Sequence, residues 1–209
     1  MEDITTLLAD PASAAIIVVD VQNDFCHPNG VLGRAGVPTA SSMEMIPRLE
    51  RLLAAARANG TKIVFIQTIH EDATDSDAWK WRMKEQNLCR KGTWGAEFTT
   101  VAPLPGEPVV IKHRYSAFIG TRLDSILRTF NTKTLIMTGV ATNVCVESTA
   151  RLGFMMDYHI LFTSDCTAAS SEAEHNGALK NIARSFGTVA TSDEVIATWD
   201  AQRSLVTIS

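Results

Sequence analysis

Residues Ala14 to Val19 form an unbroken apolar, largely β-branched run, and a carboxylate, Asp20, follows it directly. Successive side chains of a strand point to opposite faces, so a strand with one wet face alternates apolar and polar residues. A run that is apolar on both faces belongs inside a sheet covered on both sides, which is where parallel strands lie. Strand-like runs of this kind recur at Lys62–Gln67, Pro108–Ile111, Thr134–Thr138, His159–Thr163 and Thr188–Ala190. Six strands are therefore expected, and the segments between them carry helical periodicity.

Ile46, Leu49, Leu52, Leu53 and Ala56 stand at helical spacing with Gly60 as the stop, which confines Pro47 to a first turn or to a kink. Thr121 is placed to cap a helix whose Leu123, Ile126, Leu127 and Phe130 form one apolar stripe. A further helix begins near Cys145, and another runs from Ser171 to Phe186 with Leu179, Ile182 and Phe186 inward. Alternating strands and helices predict an α/β fold: a three-layer α/β/α sandwich around a mainly parallel six-stranded sheet. No repeat, low-complexity tract or composition break interrupts the chain, so one domain over 1–209 is expected. The stretch from His70 to Pro108 is long and poorly periodic, and such segments in compact domains are often functional.

The formal charge of -4, with basic residues scattered, offers no field to neutralise a phosphate backbone, which excludes nucleic acid as a partner. No apolar run approaches the roughly 20 residues of a bilayer span, and the start is acidic, so no membrane association and a cytoplasmic location are expected. Cys26, Cys89, Cys145 and Cys166 include no CxxC pair and are too few for a disulfide framework, which reads as reduced thiols.

Ligands of open parallel sheets bind beyond the carboxyl ends of the strands. Asp20 ends the first strand, Lys112 ends the third and Cys145 follows the fourth, so topology alone places all three on one rim. A thiolate at a helix N-terminus beside a lysine is favoured electrostatically, making Cys145 a candidate nucleophile. Asp20 can accept the thiol proton, pass it to a leaving nitrogen and later activate water, while Lys112 holds the negative charges in place. Backbone N–H groups of Ala141 and Cys145 are candidates for an oxyanion site. Phe25, Gln67, Trp79, Trp94, Tyr115 and Phe118 are candidate substrate-binding walls of a small pocket. Trp81 and Trp199 read as packing residues, His27, His113, His159 and His175 carry no spacing that suggests chemistry, and Cys166, at the end of strand five, is the rival nucleophile. Taken alone, a cysteine at such a turn is more often a packing residue than a nucleophile. No glycine-rich dinucleotide fingerprint or Walker loop is present, so no cofactor is expected.

Three segments, Val18–Phe25, Ile111–Lys112 and Thr138–Thr149, together resemble the cysteine hydrolases of the isochorismatase-like superfamily. The resemblance implies an isochorismatase-like, Rossmann-like topology, a catalytic triad of Asp20, Lys112 and Cys145, and a cis peptide at Val140–Ala141. It also implies a homodimer or homotetramer. Within the superfamily, Lys91–Trp94, Arg114–Phe118, Leu123–Arg128 and the extended Cys145 motif are most similar to ureidoacrylate amidohydrolases, which implies a small amide or ureido substrate and carbamate or ammonia as leaving product. Related nicotinamidases hold a metal through an Asp-x-His element after strand two. Here that region reads Gln67 to Asp72, so no metal is expected and His70 reads as a solvated loop histidine. Isochorismatases proper lack the nucleophilic cysteine, which argues against vinyl-ether hydrolysis. The alternative from a different class is a thiol redox protein in which Cys26 or Cys166 resolves Cys145.

Overall fold

The computed structural model of the protein describes residues 3–83 and 87–208. Six strands form one sheet: β1 (Ala14–Val19), β2 (Lys62–Thr68), β3 (Val109–Lys112), β4 (Thr134–Val140), β5 (His159–Ala168) and β6 (Thr188–Ala190). The helices are α1 (Ile4–Leu7), α2 (Asn23–Cys26), α3 (Val31–Arg34), α4 (Ala40–Asn59), α5 (Asp77–Arg82), α6 (Leu123–Thr129), α7 (Glu147–Met155), α8 (Glu172–Ser185) and α9 (Ser192–Ile208). Every strand pair is parallel and the order is β3-β2-β1-β4-β5-β6. The expected three-layer sandwich is the one observed.

The period-2 geometry of a strand divides the core. Ala14, Ile16 and Val18 of β1 join one cluster with Leu49, Leu52 and Leu53 of α4 and Val195 and Trp199 of α9. Ala15, Ile17 and Val19 face the other way, onto Leu123 and Leu127 of α6, Ala150 of α7 and Ile182 of α8. Two helical layers thus explain why β1 carries no polar residue, and they place Trp199 in the core as the pattern suggested.

Several boundaries differ from the sequence-based reading. The α4 helix begins at Ala40, so Pro47 lies inside it rather than in its first turn. The missing N–H and the ring would act on the carbonyl of Met43, on the exposed side, where the helix tolerates the loss. Gly60 closes α4 in the left-handed conformation, φ 74°, as expected. The β5 strand continues to Ala168, which puts Cys166 within the strand and not at its end. The long segment after β2 contains α5 and a short 3-10 turn at Trp94–Ala96, while its residues 84–86 lie outside the described residues. Trp81, read as a packing residue, is 88% exposed on α5.

Gly139, on β4 beside β1, is the glycine that brings the rim together. Its φ is +100°, and a Cβ there would lie 2.0 Å from the carbonyl oxygen of Val19. Only a residue without a side chain allows the end of β4 to approach the residue preceding Asp20 so closely.

Candidate active site

The strand order reverses between β1 and β4, and a crevice opens at such a switch point. Asp20 lies at the end of β1 with φ +53°, and the Val140–Ala141 peptide at the end of β4 is cis. Cys145 follows in a π-helical turn, Thr142–Val146, that leads into α7. Lys112 comes from the edge strand β3, two strand spacings or roughly 10 Å from β1. Its long side chain crosses β2 at Thr68, the residue paired with it in the ladder.

The three side chains meet. Lys112 Nζ lies 2.8 Å from Asp20 Oδ2 and 3.5 Å from Cys145 Sγ, and it donates to the Thr68 hydroxyl at 2.7 Å. That hydroxyl in turn donates to Asp20 Oδ1 at 2.9 Å. Lys112 is 1% exposed and Asp20 fully buried, so each charge depends on the other for its stability in a medium that solvates poorly. Asp20 Oδ2, held by the Lys112 ammonium at 2.8 Å, keeps a further lone pair with which to accept the Cys145 thiol proton.

Burial sets the protonation states. It pushes the Cys145 thiol up to about 12, with Lys112 drawing it down and Asp20 pushing it further up. The expected low-pKa thiolate is therefore corrected to a neutral thiol at rest, because desolvation of the sulfur outweighs the lysine. Burial also works against the Lys112 charge, but Asp20 and Cys145 outweigh it and the ammonium is held above its ordinary range.

Thr68 was not singled out in the sequence, and neither was its anchor. Gln22 Oε1 accepts the Thr68 backbone N–H at 2.8 Å, while Gln22 Nε2 donates to the carbonyls of Thr68 and Ala96 at 2.9 and 2.8 Å. Asp24, also buried, accepts the N–H groups of Val31 and Cys89 at 2.9 and 2.7 Å. The polar residues after Asp20 thus tie β2 and the loop before β3 into the wall of the site.

A cavity of about 550 Å³ opens onto the Lys112–Cys145 face. Of the six expected wall residues, Phe25, Trp79 and Tyr115 line it. Gln67 does not: its amide donates to the Ala96 carbonyl at 2.9 Å. Trp94 stands half exposed with its ring edge-on to His27, and Phe118 packs on Tyr158, so neither reaches the cavity. Strand periodicity places Gln67 one residue out of phase with Thr68, which is why the neighbour and not the expected residue faces inward.

His70 overturns its reading as a solvated loop histidine. It is 6% exposed, stacks on Trp79 with ring centroids 4.0 Å apart, and lines the cavity. His113, for which no chemistry was expected, also lines it, with Nδ1 2.8 Å from the Ile69 carbonyl. Among the described residues no group of three His, Cys, Asp or Glu side chains is arranged to hold a metal ion. All four cysteines are free and buried. Cys26 and Cys166 pack in the cluster on one side of the sheet and Cys145 in the cluster on the other, so neither of the two expected resolving partners packs with Cys145.

The isochorismatase domain model matches residues 14–194. The chain belongs to the isochorismatase family. A ureidoacrylate amidohydrolase from Methylobacterium radiotolerans is 40% identical over 199 residues, covering 87% of this chain and 77% of that protein. The crystal structure of a cysteine hydrolase from Pseudomonas syringae pv. phaseolicola superposes with a TM-score of 0.84 at 30% identity, over 92% of this chain and 94% of that one. The crystal structure of a nicotinamidase from Bacillus subtilis superposes with a TM-score of 0.73 at 25% identity, over 85% of this chain and 99% of that one. No helix among the described residues of this family member is long and apolar enough to cross a membrane.

Proposed function

We propose that the protein is a cysteine-dependent amidohydrolase that cleaves a C–N bond of a small ureido or carboxamide compound, with Cys145 as nucleophile, Asp20 as proton carrier and Lys112 as electrostatic anchor. The observation that carries this reading is the contact of Lys112 with both Asp20 and Cys145 at the floor of a cavity lined by Phe25, Trp79 and Tyr115. The similarity to a ureidoacrylate amidohydrolase supports the ureido class.

Cys145 sulfur bonds to the substrate carbonyl carbon as its proton passes to Asp20, so no free thiolate has to accumulate in a buried site. Negative charge moves onto the carbonyl oxygen, where the N–H groups of Ala141 and Cys145 would receive it; one such donor is worth on the order of 3 kcal/mol in the transition state. Collapse breaks the C–N bond, and Asp20 returns the proton to the departing nitrogen. Water then gives a proton to Asp20 and its oxygen to the acyl carbon, the carbon–sulfur bond breaks, and Cys145 recovers its proton. Lys112 remains an ammonium throughout. From a ureido compound the products are an amine and carbamate, or ammonia and the carbamate of the amine, according to which nitrogen departs. A homo-oligomer of two or four copies belongs to the same proposal.

The test is ammonia release from ureido acids, N-carbamoyl amines and simple carboxamides by the parent and by Cys145→Ala, without added metal. Turnover of a ureido or carboxamide compound by the parent alone is the expected result. Turnover by both proteins removes Cys145 from the reaction.

A further inference from the structure

Of the two histidines in the cavity wall, His70 is the one whose proton position is dictated by a carboxylate. Its Nδ1 lies 2.8 Å from Asp75 Oδ1, and Asp75 Oδ2 is paired with Arg90 at 2.5 Å. The Asp75 side chain is fully buried, and the hydrogen bonds from His70 and Arg90 hold its carboxyl below the usual range against the cost of burial. An ionised carboxylate only accepts hydrogen bonds, so Nδ1 must carry the proton. Burial holds the imidazole below its ordinary pKa of 6.5, so the ring is neutral near pH 7 and its Nε2 is a bare acceptor. No described side chain or backbone group donates to that nitrogen. Trp79, stacked on the ring at 4.0 Å and 23°, fixes its plane.

Elsewhere the cavity wall carries the donors Lys112, Arg82 and Arg114, and among the described residues no Asp or Glu lines it. A fixed, unprotonated ring nitrogen in such a wall selects for a ligand N–H, and a bare acceptor rejects an analogue that brings a second acceptor to the same point. From this arrangement we infer that His70 is a specificity residue: its Nε2 accepts a hydrogen bond from an N–H of the substrate's ureido or amide group. Asp75 and Arg90 act through it, by holding the tautomer. The inference rests on the hydrolase reading for its substrate, but the ring state can be measured without turnover.

The experiment combines tautomer and selectivity. Nitrogen-15 NMR of His70 in the Cys145→Ala background reports which ring nitrogen is protonated, and titration with a non-turned-over ureido acid reports whether Nε2 becomes hydrogen-bonded. The expected result is an Nδ1–H ring whose Nε2 resonance shifts on titration. In active protein, kcat/KM for the ureido compound is compared with that for the two carbamate esters in which oxygen replaces either nitrogen. Intrinsic reactivity cancels when this ratio is compared between proteins. In His70→Leu the preference for the ureido compound over one of the esters should fall about 10- to 100-fold, the size of one hydrogen bond to a buried acceptor.

Asp75→Asn is the second variant, and it protects the test against misfolding of His70→Leu. With its oxygen toward Arg90 and its amide toward His70, the introduced asparagine forces the proton to Nε2 and turns an acceptor into a donor, so the preference should be lost with the side-chain packing intact. An Nε2–H ring in the parent, or an unchanged ratio in variants that retain turnover, would overturn the inference. Absence of turnover in the parent would instead refute the hydrolase reading, and the NMR titration would still decide whether His70 accepts a hydrogen bond from an N–H compound.

Discussion

Replacing Thr68 by valine removes one oxygen atom and keeps the branched shape of the side chain. That oxygen accepts from Lys112 at 2.7 Å and donates to Asp20 at 2.9 Å, and all three residues are buried. A hydrogen bond to a charged group contributes about 1.5–3 kcal/mol, and two of them share this hydroxyl. The two are coupled and the valine methyl regains some apolar burial, so a loss of about 3 kcal/mol is expected, a sizeable share of the 5–15 kcal/mol that typically holds a domain together. The Lys112–Asp20 contact at 2.8 Å survives, so the protein should still fold. Asp20, freed at Oδ1, should lose its aim at the thiol, and kcat should fall about 10- to 100-fold while KM changes little. Urea unfolding followed by tryptophan fluorescence measures the first quantity and steady-state ammonia release the second. Thr68→Ser restores the hydroxyl and should recover both. A Thr68→Val protein within about 0.5 kcal/mol of the parent and with parental kcat would refute the view that this hydroxyl joins the two charges.

Three other consequences are open to direct measurement. Because burial pushes the Cys145 thiol up to about 12, alkylation of the free protein by iodoacetamide should keep rising about tenfold per pH unit through pH ~10, as mass spectrometry of the Cys145 peptide would follow; a plateau near pH 8–9 would contradict it. The same elevation means that the buried thiol's contribution to stability is complete below its unfolded value of 9.0 and is lost as pH rises towards 12. Gly139→Ala places a Cβ 2.0 Å from the Val19 carbonyl in a φ +100° conformation. It should cost more than about 3 kcal/mol and abolish activity, whereas Gly177→Ala, with open space around its Cβ, should leave unfolding unchanged or slightly improved.

How much of this was legible in the chain depends on the range of the interaction. The strands were readable because each is a short run whose side chains face helices on both sides, so its hydrophobicity needs no knowledge of its neighbours. Asp20, Lys112 and Cys145 were readable as a set because parallel topology sends every strand's carboxyl end to the same rim, where the three side chains touch. The wall of the cavity was not. Gln67 and Thr68 are adjacent and both polar, and only the register of β2 against β3 decides that Thr68 sits between Lys112 and Asp20. His70 resembled a loop histidine because its partners, Asp75, Trp79 and Arg90, lie along an aperiodic segment; the histidine–aspartate spacing was the one local trace of the pairing.

The thiol itself marks the division most clearly. By sequence alone the chain determined a doubly covered parallel sheet, its family, and three chemically compatible side chains on one edge, because patterning and topology are properties of local segments and their order. Tertiary structure decided the burial of Cys145, the bridge through Thr68 and the pairing of His70 with Asp75. Each depends on desolvation and on atoms brought within about 3 Å from distant parts of the chain, and both effects exist only once the two helical layers have closed over the sheet.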